Sequence, residues 1–124
     1  LSWISAQSDT INEPVDLTID GSVYVLSPTE VFVFMKGAQQ SFRLESVDPA
    51  MTGASSIYSS PESEYLFILE PDLKRVLVFS KSGSFIAQFT SPEWNHPTAM
   101  SINEEERTIT VLDGSSVFQI SFLL

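Results

Sequence analysis

His96 is the only imidazole in the 124 residues, and that alone limits the chemistry open to this chain. Twenty serines supply hydroxyls, but no Gly-x-Ser-x-Gly segment presents one on a sharp strand-to-helix turn beside a base, so a Ser-His-Asp triad is not indicated. No cysteine occurs, which excludes a thiolate nucleophile, a thiolate zinc site and a disulfide framework, and leaves the redox compartment undecided. Glycoside hydrolysis asks for two carboxylates roughly 5–10 Å apart across a cleft. Sixteen acidic residues always offer pairs, so spacing singles out none of them. No Asp-x-Asp-x-Asp-Gly calcium loop is present, and Glu104-Glu105-Glu106 reads as a solvated turn.

Composition narrows the partner classes. Six basic residues against sixteen acidic ones give a net charge of −10, and neutralising a phosphate backbone requires clustered Lys and Arg, so nucleic acid is not an expected partner. With 43% hydrophobic residues the chain is too apolar for a disordered acidic tail, and a body of this mass buries about two-thirds of its unfolded surface. No stretch approaches the ~20 apolar residues of a membrane span. The opening Leu1-Ser2-Trp3-Ile4 has no initiator Met and no basic n-region, and is expected to be cut from a longer chain. Phe122-Leu123-Leu124 fits either a true terminus or a domain boundary.

The elements that must position any site follow from an internal repeat. Val25-Leu26, Ile68-Leu69 and Val111-Leu112 recur every 43 residues, each closing a short β-rich run. Each run leads into a turn, Ser27-Pro28-Thr29-Glu30, Glu70-Pro71-Asp72 or Asp113-Gly114-Ser115, and then into a second alternating strand: Val31-Phe32-Val33-Phe34, Val76-Leu77-Val78-Phe79 or Val117-Phe118-Gln119-Ile120. A preceding strand carries Leu17 and Ile19, Ile57, and Met100 and Ile102 in the three units. A fourth strand is expected at Ser41-Phe42-Arg43-Leu44 and at Phe85-Ile86-Ala87-Gln88-Phe89. Lys36-Gly37 and Lys81-Ser82-Gly83-Ser84 supply glycine to the hairpins between third and fourth strands, where a positive φ is tolerated. Period-2 alternation with seven prolines and five glycines at the turns leaves no room for a helix.

Four strands every 40 to 45 residues is the period of a β-propeller blade, so the fold class is all-β: three four-stranded antiparallel meanders forming a partial propeller. Leu73-Lys74-Arg75-Val76-Leu77-Val78-Phe79-Ser80-Lys81-Ser82-Gly83-Ser84-Phe85 resembles the N-x-R-V-x-V-F-D-x-x-G-x-F core of NHL-type repeats. Pro14-Val15-Asp16-Leu17-Thr18-Ile19-Asp20-Gly21-Ser22-Val23-Tyr24-Val25 is similar to the opening of the same unit. The chain departs from that pattern in three places. The first-strand glycine is missing from all units, Leu73-Lys74 stands where Asn precedes Arg, and Ser115-Ser116 stands where the third Arg-Val pair would begin. The whole also resembles the C-terminal propeller half of uncharacterised bacterial proteins, a likeness that implies an extracytoplasmic, membrane-anchored setting, while the residues themselves leave localisation open.

Counting strands divides the chain into the last strand of a preceding blade at 1–8, blades at 14–45 and 52–91, and an incomplete blade at 97–124. Three blades do not close a ring. Either the chain is half of a six-bladed propeller whose other blades lie upstream, or two copies form a homodimer in which each N-terminal strand completes the partner's third blade. Binding residues are then expected on the face carrying the loops into each first strand and the turns between second and third strands. These are Asp9, Asn12, Trp94, Asn95, His96, Asp72, Lys74 and Arg75. Trp94 is either an apolar plug between blades or an exposed aromatic anchor. His96 is either a loop residue packed beside Pro97 or a contact residue. Arg75 either pairs with a carboxylate or meets ligand. In a propeller channel Asp16 is the only inner-strand carboxylate aligned with the repeat, against Ala99 and Ala54 or Ser55, and one carboxylate makes no metal site. The expected function is non-catalytic recognition of a protein or small ligand on one face, with no cofactor. The alternative is part of a propeller-fold hydrolase or lyase whose catalytic residues lie in absent blades.

Overall fold

The computed structural model describes residues 13–124. Asp9, Asn12 and the strand expected at 1–8 lie outside the described residues. Eleven strands form three antiparallel sheets, with no helix among the described residues. The first holds β1 (Asp16–Ile19), β2 (Val23–Leu26), β3 (Val31–Met35) and β4 (Ala38–Gln40); the second holds β5 (Ser56–Tyr58), β6 (Tyr65–Glu70), β7 (Arg75–Ser80) and β8 (Phe85–Thr90). The third holds β9 (Pro97–Asn103), β10 (Thr108–Asp113) and β11 (Ser116–Ser121). Each sheet is a meander in sequence order, as hairpin-length connections between alternating strands require. The fold is that of β-propeller blades.

Register explains why the repeat packs. Tyr24 pairs with Val33, Phe67 with Val78 and Thr110 with Gln119; one row on, Leu26 pairs with Val31, Leu69 with Val76 and Leu112 with Val117. Because side chains alternate across a sheet, these rows point to equivalent sides of the three sheets, in the first two toward the following blade. Tyr24, Leu26, Val31 and Val33 of the first sheet meet Ile57, Leu66, Ile68, Leu77 and Phe79 of the second in one core. Phe67, Leu69, Val76 and Val78 from the second sheet's other side meet Ile102, Ile109 and Val111 in another. The second sheet is thus apolar on both faces because it lies between two neighbours. In the third sheet the corresponding row changes character: Gln119 donates to the Thr110 hydroxyl at 3.3 Å, while Leu112 and Val117 are 40% and 66% exposed.

The first hairpin departs from expectation. Lys36 and Gly37 both take positive φ, 53° and 82°, the two-residue turn that joins Met35 directly to Ala38. The fourth strand therefore runs over Ala38–Gln40, and Ser41-Phe42-Arg43-Leu44 is not a strand. That segment crosses to the second sheet, where Phe42, Leu44 and Val47 pack on the first core. The Glu45 amide donates to the Gly83 carbonyl at 2.7 Å, and the Phe85 amide donates to the Glu45 carboxylate at 2.7 Å. There Phe42 and Leu44 are half-buried, whereas all three residues of β4 are exposed. The crossing also needs a glycine: a Cβ on Gly83 (φ +98°) would collide with the Arg43 carbonyl oxygen.

Candidate functional site

A repeated carboxylate clamp builds the loop face. Glu70 ends β6, and its Oε2 accepts the amides of Thr52 at 2.7 Å and Gly53 at 3.0 Å. Asp113 ends β10, 43 residues later, and accepts the amides of Asn95 at 2.7 Å and His96 at 2.9 Å, each also 43 residues on. In both sheets the carboxylate at the end of the second strand thus fixes the loop that enters the first. The His96 and Asn95 amides hold the Asp113 carboxyl below its ordinary range, with the positive character of His96 and Lys74 adding to the effect. Ser27 takes this position in the first sheet, and its hydroxyl accepts the amides of Glu30 at 3.0 Å and Thr29 at 3.4 Å, pinning the tight turn.

These clamps settle where each expected residue stands. Arg75 is 1% exposed. Its guanidinium pairs with Glu70 at 2.6 Å and donates to Gln88 at 2.9 Å and the Pro49 carbonyl at 2.6 Å, so its hydrogen-bonding capacity is spent inside the protein and a ligand has no access to it. Trp94 is also 1% exposed, within the core between second and third sheets. Its position 43 residues after the buried Met51 makes it a plug rather than an exposed anchor. Asn95, His96, Asp72 and Lys74 are exposed on the loop face. Lys74 and His96 lie near Asp113, and the Asp72 carboxylate lies over Gly53, 3.2 Å from where a Cβ would be.

Two groups that organise the face, Glu70 and Asp113, are absent from the expected set. The signal for them was the 43-residue register itself, which aligns Ser27, Glu70 and Asp113, but a turn between hydrophobic strands reads as solvated. Asp16 also takes a structural part: its Oδ2 accepts the Ile57 amide of the neighbouring inner strand at 2.8 Å.

The opposite face is stitched by another polar chain. Asp20 accepts from Lys81 and, at 2.7 Å, from the Ser59 hydroxyl, while Ser60 donates to Glu104 at 2.9 Å. Burial pushes the Asp20 carboxyl upward, but the hydrogen bonds from Lys81, Ser59 and the Ser22 amide outweigh it and leave the group below its ordinary value. Among the described residues no three His, Cys, Asp or Glu side chains converge on a metal position.

Open space on the loop face lies over the first sheet. A cleft of about 530 Å³ is lined by Glu13, Ser27, Pro28, Thr29, Glu30, Phe32 and Thr52. Its walls are the turn after β2 and the loop into β5, which the Ala54 amide ties together by donating to the Pro28 carbonyl at 3.0 Å. Two exposed carboxylates, three hydroxyls and one half-buried ring make a surface suited to hydrogen bonding and to cations. The expected residues around Asp113 occupy the other end of the same face, away from this cleft.

No family model and no curated protein matches the chain. Among solved structures it is similar to Kuenenia stuttgartiensis hydrazine synthase, with a TM-score of 0.70 and 12% identity over 87% of this chain and 32% of that one. It is similar also to Kluyveromyces lactis Hsv2, with a TM-score of 0.59 and 14% identity over 90% of this chain and 34% of that one. A form of Hsv2 whose loop 6CD is replaced by a Gly-Ser linker matches with a TM-score of 0.60, 14% identity, and 90% and 36% coverage. The chain thus spans about a third of these propeller-type chains, and what it shares with them is the β-propeller fold.

Proposed function

We propose that this chain is a non-catalytic recognition segment of a propeller, taking a protein or small ligand on its loop face. The observation that carries the reading is the division of labour on that face. The buried charged and aromatic groups, Glu70, Arg75 and Trp94, are consumed by the scaffold, while a polar cleft stays open beside them. Rigid loops around an open cleft are how such scaffolds present binding groups. Asn95, His96, Asp72 and Lys74 extend the same surface. The test is amide chemical-shift mapping on ¹⁵N-labelled protein against a panel of peptides, glycans and small molecules. Ligands are expected to move the amides of Thr29, Glu30 and Thr52. Ligands that instead move only Ser22, Lys81 and Ser82 on the opposite face overturn the reading.

In this reading the blades are of NHL type and belong to a six-bladed ring whose other blades come either from further sequence of the same protein or from a second copy. The open side of β11, which has no fourth strand among the described residues, and the exposed Leu112 and Val117 beside it support a partner at this end. Light scattering separates the two: a species of twice 13.7 kDa supports the second copy, and a folded monomer at millimolar concentration rules it out.

A further inference from the structure

We propose that the first sheet takes an extended basic peptide as an added strand along the outer edge of β3. The proposal rests on the loop face being the binding face and names the ligand class. The β3–β4 ladder runs Met35 to Ala38, Phe34 to Gln39 and Val33 to Gln40, and stops there. In the second sheet the equivalent strand is covered from Phe79 to Arg75. Val31 and Phe32 therefore have no strand partner on their outer side among the described residues. By the alternation of an antiparallel ladder, the N–H and C=O of Val31 point to the side that Val33 and Met35 use for β4. A regular hairpin would lay residues 41–44 there, but those residues are held on the second sheet by the bonds of Glu45 to Gly83 and Phe85.

The space that this displacement leaves has the shape and chemistry of a strand site. A cavity of about 430 Å³ separates Val31 and Phe32 from Phe42, the exposed Arg43 and Leu44; Arg43 is its one cation, against Glu30 here and Glu13 in the adjoining cleft. The cavity shares Thr29, Glu30 and Phe32 with the 530 Å³ cleft, where Glu13 also stands. It shares Thr29, Leu44 and Ser46 with a pocket of about 180 Å³ lined by Val47, Met51 and Phe79. Successive side chains of an added strand point to opposite faces. The one paired with Val31 faces the pocket of Leu44, Met51 and Phe79 and is best apolar; its neighbours face Phe32 and the carboxylates Glu13 and Glu30 and are best Lys or Arg. Main-chain bonds to Val31 supply affinity and the two kinds of pocket supply sequence preference. The net charge of −10 favours encounter with such a peptide over an acidic one.

The test is fluorescence anisotropy with a fluorescein-labelled Lys-Val-Lys-Val-Lys-Val peptide, a version N-methylated at alternate residues in each register, and a Glu-Val counterpart. Saturable micromolar binding of the Lys-Val peptide is expected. N-methylation of the pairing edge should abolish it, and the Glu-Val peptide should bind at least tenfold more weakly. The Glu30→Lys variant, altered at an exposed side chain, should lose at least tenfold with an unchanged melting curve, and Glu104→Lys on the opposite face less than twofold. Equal binding of both N-methylated peptides, or equal loss from Glu104→Lys, overturns strand addition in favour of diffuse charge attraction. If the peptide fails to bind while other ligands move the Thr29 and Glu30 amides, strand addition falls and the loop-face reading stands. If those amides move with no ligand, both fall.

Discussion

Replacing Arg75 by Met tests whether the buried network is scaffold or binding site. Arg75 and Glu70 are both essentially inaccessible to water. Around them lie charge-assisted bonds: the pair itself at 2.6 Å, the Thr52 and Gly53 amides on Glu70, and Gln88 and the Pro49 carbonyl on Arg75. Arg75→Met leaves the Glu70 carboxylate buried with two neutral donors and no counter-ion, a loss of about 3–5 kcal/mol. Against a total stability of about 5–15 kcal/mol, and at roughly 3–5 °C per kcal/mol for a domain of this size, the melting midpoint should fall by about 10–20 °C. Glu70→Gln should cost a similar amount: its amide oxygen can still accept both loop amides, but Arg75 is then the buried charge without a counter-ion. The double variant should be more stable than the sum of the singles implies, by at least about 1.5 kcal/mol, since no unpaired charge remains. The assay is urea unfolding followed by intrinsic tryptophan fluorescence, with circular dichroism confirming a cooperative transition and giving the melting midpoint. An Arg75→Met variant melting within a few degrees of the parent, or strict additivity in the cycle, would refute the argument that this ion pair holds the loop face together.

Asp113 should confer acid sensitivity on the third sheet. Its carboxyl sits below the ordinary value of 3.8, so the folded state binds fewer protons than the unfolded one; the stability it contributes is complete above that value and is lost as pH falls through the folded pKa. The Asn95 and His96 amide resonances should therefore titrate together with a midpoint below 3.8, and a midpoint at or above it would remove the clamp. Two glycines should separate conformation from contact. Gly114→Ala meets open space at φ +62° and should cost about 1 kcal/mol for the left-handed backbone. Gly83→Ala adds collision with the Arg43 carbonyl and should cost at least about 2 kcal/mol, both read from urea midpoints. Equal costs would show that the 41–44 segment yields freely.

Much of the fold is written in alternation and period. Val23-Tyr24-Val25-Leu26 and its counterparts are strands because β-branched and aromatic residues at period 2 suit a sheet buried on both faces, and the 43-residue interval sets equivalent rows in successive blades. Phe42 and Leu44 show where that legibility stops. Their alternation with Ser41 and Arg43 reads as a strand, but the turn at Lys36-Gly37 places the strand three residues earlier, and the seam between sheets offers more burial than the edge. Local pattern cannot weigh burial against a surface supplied by residues about 40 positions away.

The same division governs the candidate site. The loops that form this face could be placed from the repeat, but which side chains remain free on it could not. Arg75 and Trp94 are types enriched in binding surfaces, and here partners distant in the chain, Pro49 and Phe67 among them, bury both. Glu70 and Asp113 read as turn residues until the fold sets each beneath two amides some 18 residues earlier. Sequence by itself determined the all-β class, the blade period and the acidic charge, because these are properties of neighbours along the chain and of sums over it. Tertiary structure decided which polar groups are consumed as scaffold and where an open strand edge lies beside a cleft, because hydrogen-bond satisfaction and burial depend on what the fold brings from elsewhere.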